Sequence, residues 1–189
     1  MNASAGRAVL VGVNGSSAAR RAAVWAAAFA SRTEAPLRRV HVLPEALYLM
    51  TDAAVMGQGP AIAQHRAAGQ RFLDDASTEA RLGFPGVDVH TELVPGPTAP
   101  ALAAAGATSG MIVLGAGTPS GVGALAAGST AIALARHARC PITLCRRQSE
   151  MLPDRRPVVV GIGIGIGDGD SSAAAVLSAF DFAHLFGAP

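Results

Sequence analysis

Ala8-Val9-Leu10-Val11-Gly12-Val13-Asn14-Gly15-Ser16-Ser17 is the stretch from which the rest of the chain is read. An unbroken apolar run of this length fits a strand covered on both faces. The Asn-Gly pair turns the chain, and a following Ser supplies a helix N-cap. A helix is therefore predicted from Ala18 to Ser31, with Val24, Trp25, Ala28 and Phe29 at helical spacing. A buried strand that turns directly into a helix is the opening of a parallel α/β unit.

The same alternation continues outward. Strands are predicted at Leu37–Leu43, Val87–Val94, Met111–Leu114 and Pro141–Cys145. Helices are predicted at Ala61–Leu82, Pro100–Ala107 and Ser129–Ala138, with Ile62, Phe72 and Leu73 facing inward on the first. Pro44–Pro60, marked by Gly, Met and Pro, reads as an irregular flap, and Gly115–Gly128 as a long Gly-rich loop. Right-handed crossovers then give an open α/β sandwich with a five-stranded parallel sheet and helices on both faces. Ligands of such folds sit at the C-terminal strand ends, where the strand order reverses. That places Asn14, Val42 and the Gly115–Gly128 loop at one crevice.

Beyond this unit the chain begins to repeat. Residues 1–147 form the predicted domain, 148–156 a polar linker, and 157–189 the start of an incomplete second copy. Pro157-Val-Val-Val-Gly161 echoes Ala8-Val-Leu-Val-Gly12 and is expected to be a strand. Ala22, Ala26, Phe29, Ala30, Ala35 and Pro36 recur as Ala175, Ala179, Phe182, Ala183, Ala188 and Pro189.

Composition narrows the chemistry. All fifteen basic residues are Arg, so a Walker-type phosphate loop and Schiff-base catalysis, which need Lys, are excluded. The net charge is +2, with Arg in scattered pairs and only one Trp and one Tyr, so a nucleic-acid partner is not expected. No segment approaches the ~18 apolar residues of a membrane span. No signal peptide is visible, and the expected location is the cytoplasm. Cys140 and Cys145, five residues apart in a predicted strand, point to opposite faces and cannot form a disulfide.

Small residues throughout Gly115–Ser129 allow a phosphate to approach the main chain, and the helix start beyond, with Ser129 as its N-cap, favours an anion. Other patterns carry less. Gly121-Val-Gly123-Ala-Leu-Ala126 does not follow a strand directly, and no acidic residue lies at the distance a dinucleotide site needs. His137 beside Cys140 lacks two further metal ligands and reads as a last-turn histidine. His41 reads as a packed strand residue. No catalytic or metal-binding set is expected.

Across residues 8–146 the chain resembles the universal stress protein family. The matching pieces are Val9-Leu-Val-Gly-Val-Asn14-Gly15-Ser16, Arg39-Val-His41-Val42, Met111-Ile-Val-Leu-Gly115, and Gly128-Ser129-Thr130 through Leu144. Family members that bind ATP carry Gly, two residues, Gly, nine residues, then Gly-Ser/Thr. Gly115, Gly128 and Ser129 fit that pattern; the middle position is Thr118. The family's first-strand Asp is Asn14 here, which keeps hydrogen-bonding reach but loses the charge that helps hold a metal. The resemblance implies a stress-response regulator that binds ATP, with Mg, or another adenine nucleotide. It implies a site at Gly12, Val13, Asn14, Val42, Leu114, Gly115, Thr118, Gly128, Ser129 and Thr130. Homodimerisation or tandem-domain pairing is also implied. The alternatives are a member acting through protein contacts alone, and a weak ATPase or phosphoprotein with Ser129 or Thr130 as acceptor.

Overall fold

The computed structural model describes residues 6–43, 52–116, 128–146, 152–161 and 169–189. It divides into two compact units, Met1–Glu150 and Met151–Pro189.

In the first unit the strands are β1 (Val9–Gly12), β2 (Leu37–Leu43), β3 (Val89–Pro95), β4 (Met111–Gly115) and β5 (Ile142–Cys145). The helices between them are α1 (Ser17–Thr33), α2 (Asp52–Gly83), α3 (Thr98–Ala105) and α4 (Gly128–Ala135). Every ladder is parallel, in the order β3-β2-β1-β4-β5. The expected five-stranded parallel α/β sheet is therefore the observed fold. The order reverses beside β1, between its neighbours β2 and β4.

Period-two alternation sorts the strands between two layers. Val9, Val11, Leu37 and Val113 face α1 and α2, where Ala22, Ala26, Ala30 and Leu73 meet them. Leu10, Val40, Ile112 and Leu114 face α3 and α4, packing on Leu102 and Leu134. Each buried Leu, Ile or Val contributes about 1.5–3 kcal/mol. Alanine on α1 has another effect: with no branched side chains between them, helix and sheet approach closely.

Adjacent arginines on β2 split between the layers. Arg38 forms a two-pronged ion pair with Glu92 (2.9 and 3.0 Å) and donates to the Ala105 carbonyl oxygen at 2.7 Å. Arg39 is fully buried under α2 and donates from Nη1 to the Leu73 carbonyl oxygen at 3.2 Å. Its Nε and Nη2 have no partner among the described residues. Burial, reinforced by Arg81 and opposed by Asp74, lowers its pKa to about 10.

Several expectations need correction. Residues 52–60, read as irregular, belong to α2, which passes through Pro60. Packing against α1, β2 and β3, centred on Leu73, Ala76 and Ala80, offsets the one ladder bond that Pro60 cannot donate. Residues 44–51 lie outside the described set. Helix α3 starts at Thr98, before Pro100, because Pro is compatible with a helix's first turn. Helix α4 begins at Gly128 and ends at Ala135, so Ser129 is a first-turn residue and His137 lies beyond the last turn. Cys140 precedes β5; it packs in the α3/α4 layer and Cys145 in the other, both as free thiols.

The second unit contains α5 (Gly169–Phe186). Pro157–Gly161 forms no strand, for it has no ladder partner among the described residues. No helix in the described residues is long and apolar enough to cross a membrane.

Candidate functional site

The β1–α1 connection is held by short-range bonds that the sequence encodes. Asn14 Oδ1 accepts from the Ser16 amide (3.1 Å) and from Ser16 Oγ–H (2.7 Å). Ser16 Oγ in turn accepts from the Ala19 amide at 3.1 Å, capping α1. Gly15 stands at φ +78°, where a side chain is strained, and a Cβ there would lie 2.5–2.8 Å from the Phe72 ring. Across the sheet, a Cβ on Gly115 would overlap the main chain of Ala18 and Ala19. Glycine at the end of β4 therefore lets the start of α1 close against it.

Between these two connections lies a cavity of about 320 Å³, at the low end of ligand-pocket sizes. Its wall includes Gly12, Val13, Asn14, Val42, Leu114, Gly115, Ser129 and Thr130. Of the residues named from sequence, Gly128 starts α4 but does not line the cavity, and Thr118 lies outside the described residues.

Sequence reasoning missed Ala19, Val40, His41, Thr98, Leu102, Ala116, Ala131 and Leu144. Thr98 was within reach, because Pro95-Gly96-Pro97 turns the chain just before it. Leu102 and Leu144 arrive from α3 and β5, and only the folded sheet brings them to β1. His41 was set aside as packed. It is indeed half-buried, edge-on to Phe72 at 5.5 Å between ring centroids. Its Nδ1 lies 2.7 Å from the Val13 carbonyl oxygen; a carbonyl only accepts, so Nδ1 carries the proton.

Chemically the wall is apolar, with hydroxyls, one amide and one imidazole. Magnesium is a poor fit. Among the described residues no carboxylate lines the cavity, and no group of three His, Cys, Asp or Glu could hold a metal. Cys145 is no nucleophile: burial raises its thiol pKa to about 11.

A parallel sheet with its crevice at the strand-order reversal defines the class: an open α/β protein of the adenine-nucleotide alpha-hydrolase-like fold. Within that class, the model of the universal stress protein family matches residues 6–146, and the chain belongs to that family. It is 32% identical over 163 residues to universal stress protein Rv2623 of Mycobacterium tuberculosis. That match covers 82% of this chain and 53% of the relative, so the chain spans about half the length of the curated relatives it matches. Among solved structures, a family member from Burkholderia pseudomallei is 28% identical, with a TM-score of 0.56, covering 76% of this chain and 98% of that one. A universal stress protein in complex with cAMP shares the fold at 21% identity and a TM-score of 0.52, covering 76% and 98%.

Proposed function

We propose that residues 6–146 bind an adenine nucleotide in the crevice between the β1–α1 and β4–α4 connections. In this reading the chain works as a nucleotide-responsive regulator of the stress response. The observation that supports it most is the cavity at the strand-order reversal, walled by small residues that let a ligand reach the main chain. The cAMP complex of a structural neighbour agrees with the ligand class. That class runs from ATP, the ligand implied by the resemblance, to smaller adenine nucleotides.

The mechanism is a population shift. Ligand at Asn14, Val42, Ser129 and Thr130 ties α4 to the β1–α1 turn, favouring the conformation that holds both and so changing the surface met by a partner. The partner is a second copy or a tandem domain, and the setting is the cytoplasm. Thermal shift and calorimetry with ATP, ADP, AMP and cyclic AMP test the reading. A raised melting temperature is expected with at least one of them. Neither heat nor shift at millimolar ligand removes the nucleotide switch.

Two departures from the ATP-binding pattern, Thr118 and Asn14, favour a second reading: a member that has lost nucleotide and acts through protein contacts. Binding gained only in the double variant Thr118→Gly/Asn14→Asp would select it.

A further inference from the structure

Asn14-Gly15 is the one Asn-Gly step in the sequence; the other asparagine, Asn2, precedes Ala3. An asparagine side chain is open to attack by its own main chain, because the amide nitrogen of the next residue can close a five-membered ring on Cγ. Glycine in that next place leaves the nitrogen unshielded, since it carries no Cβ. A fold suppresses the reaction by binding the nitrogen or by holding the side chain away from it. This turn does neither.

Oδ1 of Asn14 reaches forward to the Ser16 amide at 3.1 Å, which lays Cγ alongside the intervening Gly15 nitrogen. Among the described residues nothing accepts from that nitrogen, and Nδ2, the leaving group, has no partner either. Ser16 Oγ–H also donates to Oδ1, at 2.7 Å, so two donors sit on the oxygen where negative charge develops as the ring closes. Arg20 Nη1 donates to the Gly15 carbonyl oxygen at 3.3 Å, and its positive charge beside the turn favours a deprotonated peptide nitrogen. Asn14 is exposed, so water reaches the ring and ammonia can leave.

We propose that Asn14 is a self-modification site, losing its amide in the folded chain by attack of the Gly15 nitrogen on a carbonyl activated by Ser16. The Gly15 N–Cγ bond forms, the Cγ–Nδ2 bond breaks, and the Gly15 amide proton departs with Nδ2 as ammonia. Water then opens the succinimide. Addition at Cγ breaks the new bond to nitrogen and gives aspartate; addition at the Asn14 main-chain carbonyl gives isoaspartate.

Aspartate keeps both bonds from Ser16 and stands at the N-terminus of α1, where the helix dipole favours an anion. Its consequence lies in the crevice. Asn14 lines the cavity, and the ionisable side chain among the described lining residues is His41. Conversion adds a negative charge there, at the position where the ATP-binding pattern of the family has Asp. Released ammonia is lost to solvent, so the change runs one way, from a crevice without a carboxylate to one that attracts cations. This goes beyond the nucleotide reading and holds whichever ligand the crevice takes.

Incubation of the full chain in water labelled with oxygen-18, followed by peptide mapping by mass, tests it. The peptide carrying position 14 is expected to gain a labelled acid oxygen, at a rate that climbs with pH and is no slower than in the urea-unfolded chain. An amide kept in the folded chain while the unfolded chain loses it overturns the proposal, because the turn then protects Asn14. Ser16→Ala should slow conversion several-fold, and Ser16→Thr, which retains the hydroxyl and the cap, should restore the rate. Unchanged or faster conversion in Ser16→Ala overturns the activating role of Ser16. Aspartate is expected among the products, with the charge and retention of the Asn14→Asp protein on ion exchange; isoaspartate alone overturns the added charge on an intact turn.

Discussion

Helices α1 and α5 carry the same sequence pattern, and they end in the same way. Glu34 after α1 stands at φ 52°, and Gly187 at the corresponding place after α5 stands at φ 62°. Beyond them, the Ala35 amide donates to the Ala30 carbonyl oxygen at 3.0 Å, and the Ala188 amide to that of Ala183 at 2.8 Å. Locally the two helix ends are one motif. Their surroundings differ completely. Ala22, Ala26 and Ala30 are fully buried, whereas Ala175 is exposed and Ala179 and Ala183 are half-buried. Leu10 on β1 is 0% exposed and its counterpart Val159 is 91% exposed. Helix and cap are local products; burial needs neighbouring strands.

This contrast can be broken by paired substitutions. The largest effect is expected from a charge on the strand. Leu10→Asp buries a carboxylate with no partner and should cost more than about 5 kcal/mol, comparable to a domain's whole stability. Val159→Asp should change nothing measurable in solubility or circular dichroism. Next comes added bulk on the helices. Ala26→Leu should lose about 2–3 kcal/mol in urea unfolding followed by the single Trp, because the interface on α1 has no spare volume. Ala179→Leu should stay within about 0.5 kcal/mol. A loss on α5 equal to that on α1 would mean that a covering surface is already in place there.

Smaller effects sharpen the comparison at the caps. Glu34→Gly relieves a left-handed non-Gly residue and should gain up to about 1 kcal/mol, while Gly187→Glu should cost α5 a similar amount. Alkaline titration should also separate the units, with the effect confined to the first, since residues 151–189 contain no Cys. Burial pushes the Cys145 thiol up to about 11 from an ordinary value of 9.0. Between those values the unfolded chain has lost a proton that the folded chain keeps, so stability falls as pH rises through the interval. Trp25 fluorescence should show this loss, and Cys145→Ala should flatten it.

The sequence by itself determined the strands of the first unit, the presence of the helices between them and the parallel direction of the sheet. Those depend on period, on turn residues such as Asn14-Gly15, and on caps such as Ser16, all of which act over a few residues. The sequence misread residues 52–60, where packing of the long α2 overrides the local signal of Pro60. It misread Pro157–Gly161 too, since an extended apolar run becomes a strand only when another strand offers its main chain. Tertiary structure alone decided that Arg38 finds Glu92 while Arg39 lies under α2. It also brought Leu102, Leu144 and His41 to the cavity beside Asn14. The physical reason is common to all of these: main-chain preferences are short-ranged, but hydrogen-bond partners, burial and cavity walls are supplied by segments distant in sequence, and only the closed sheet sets those distances.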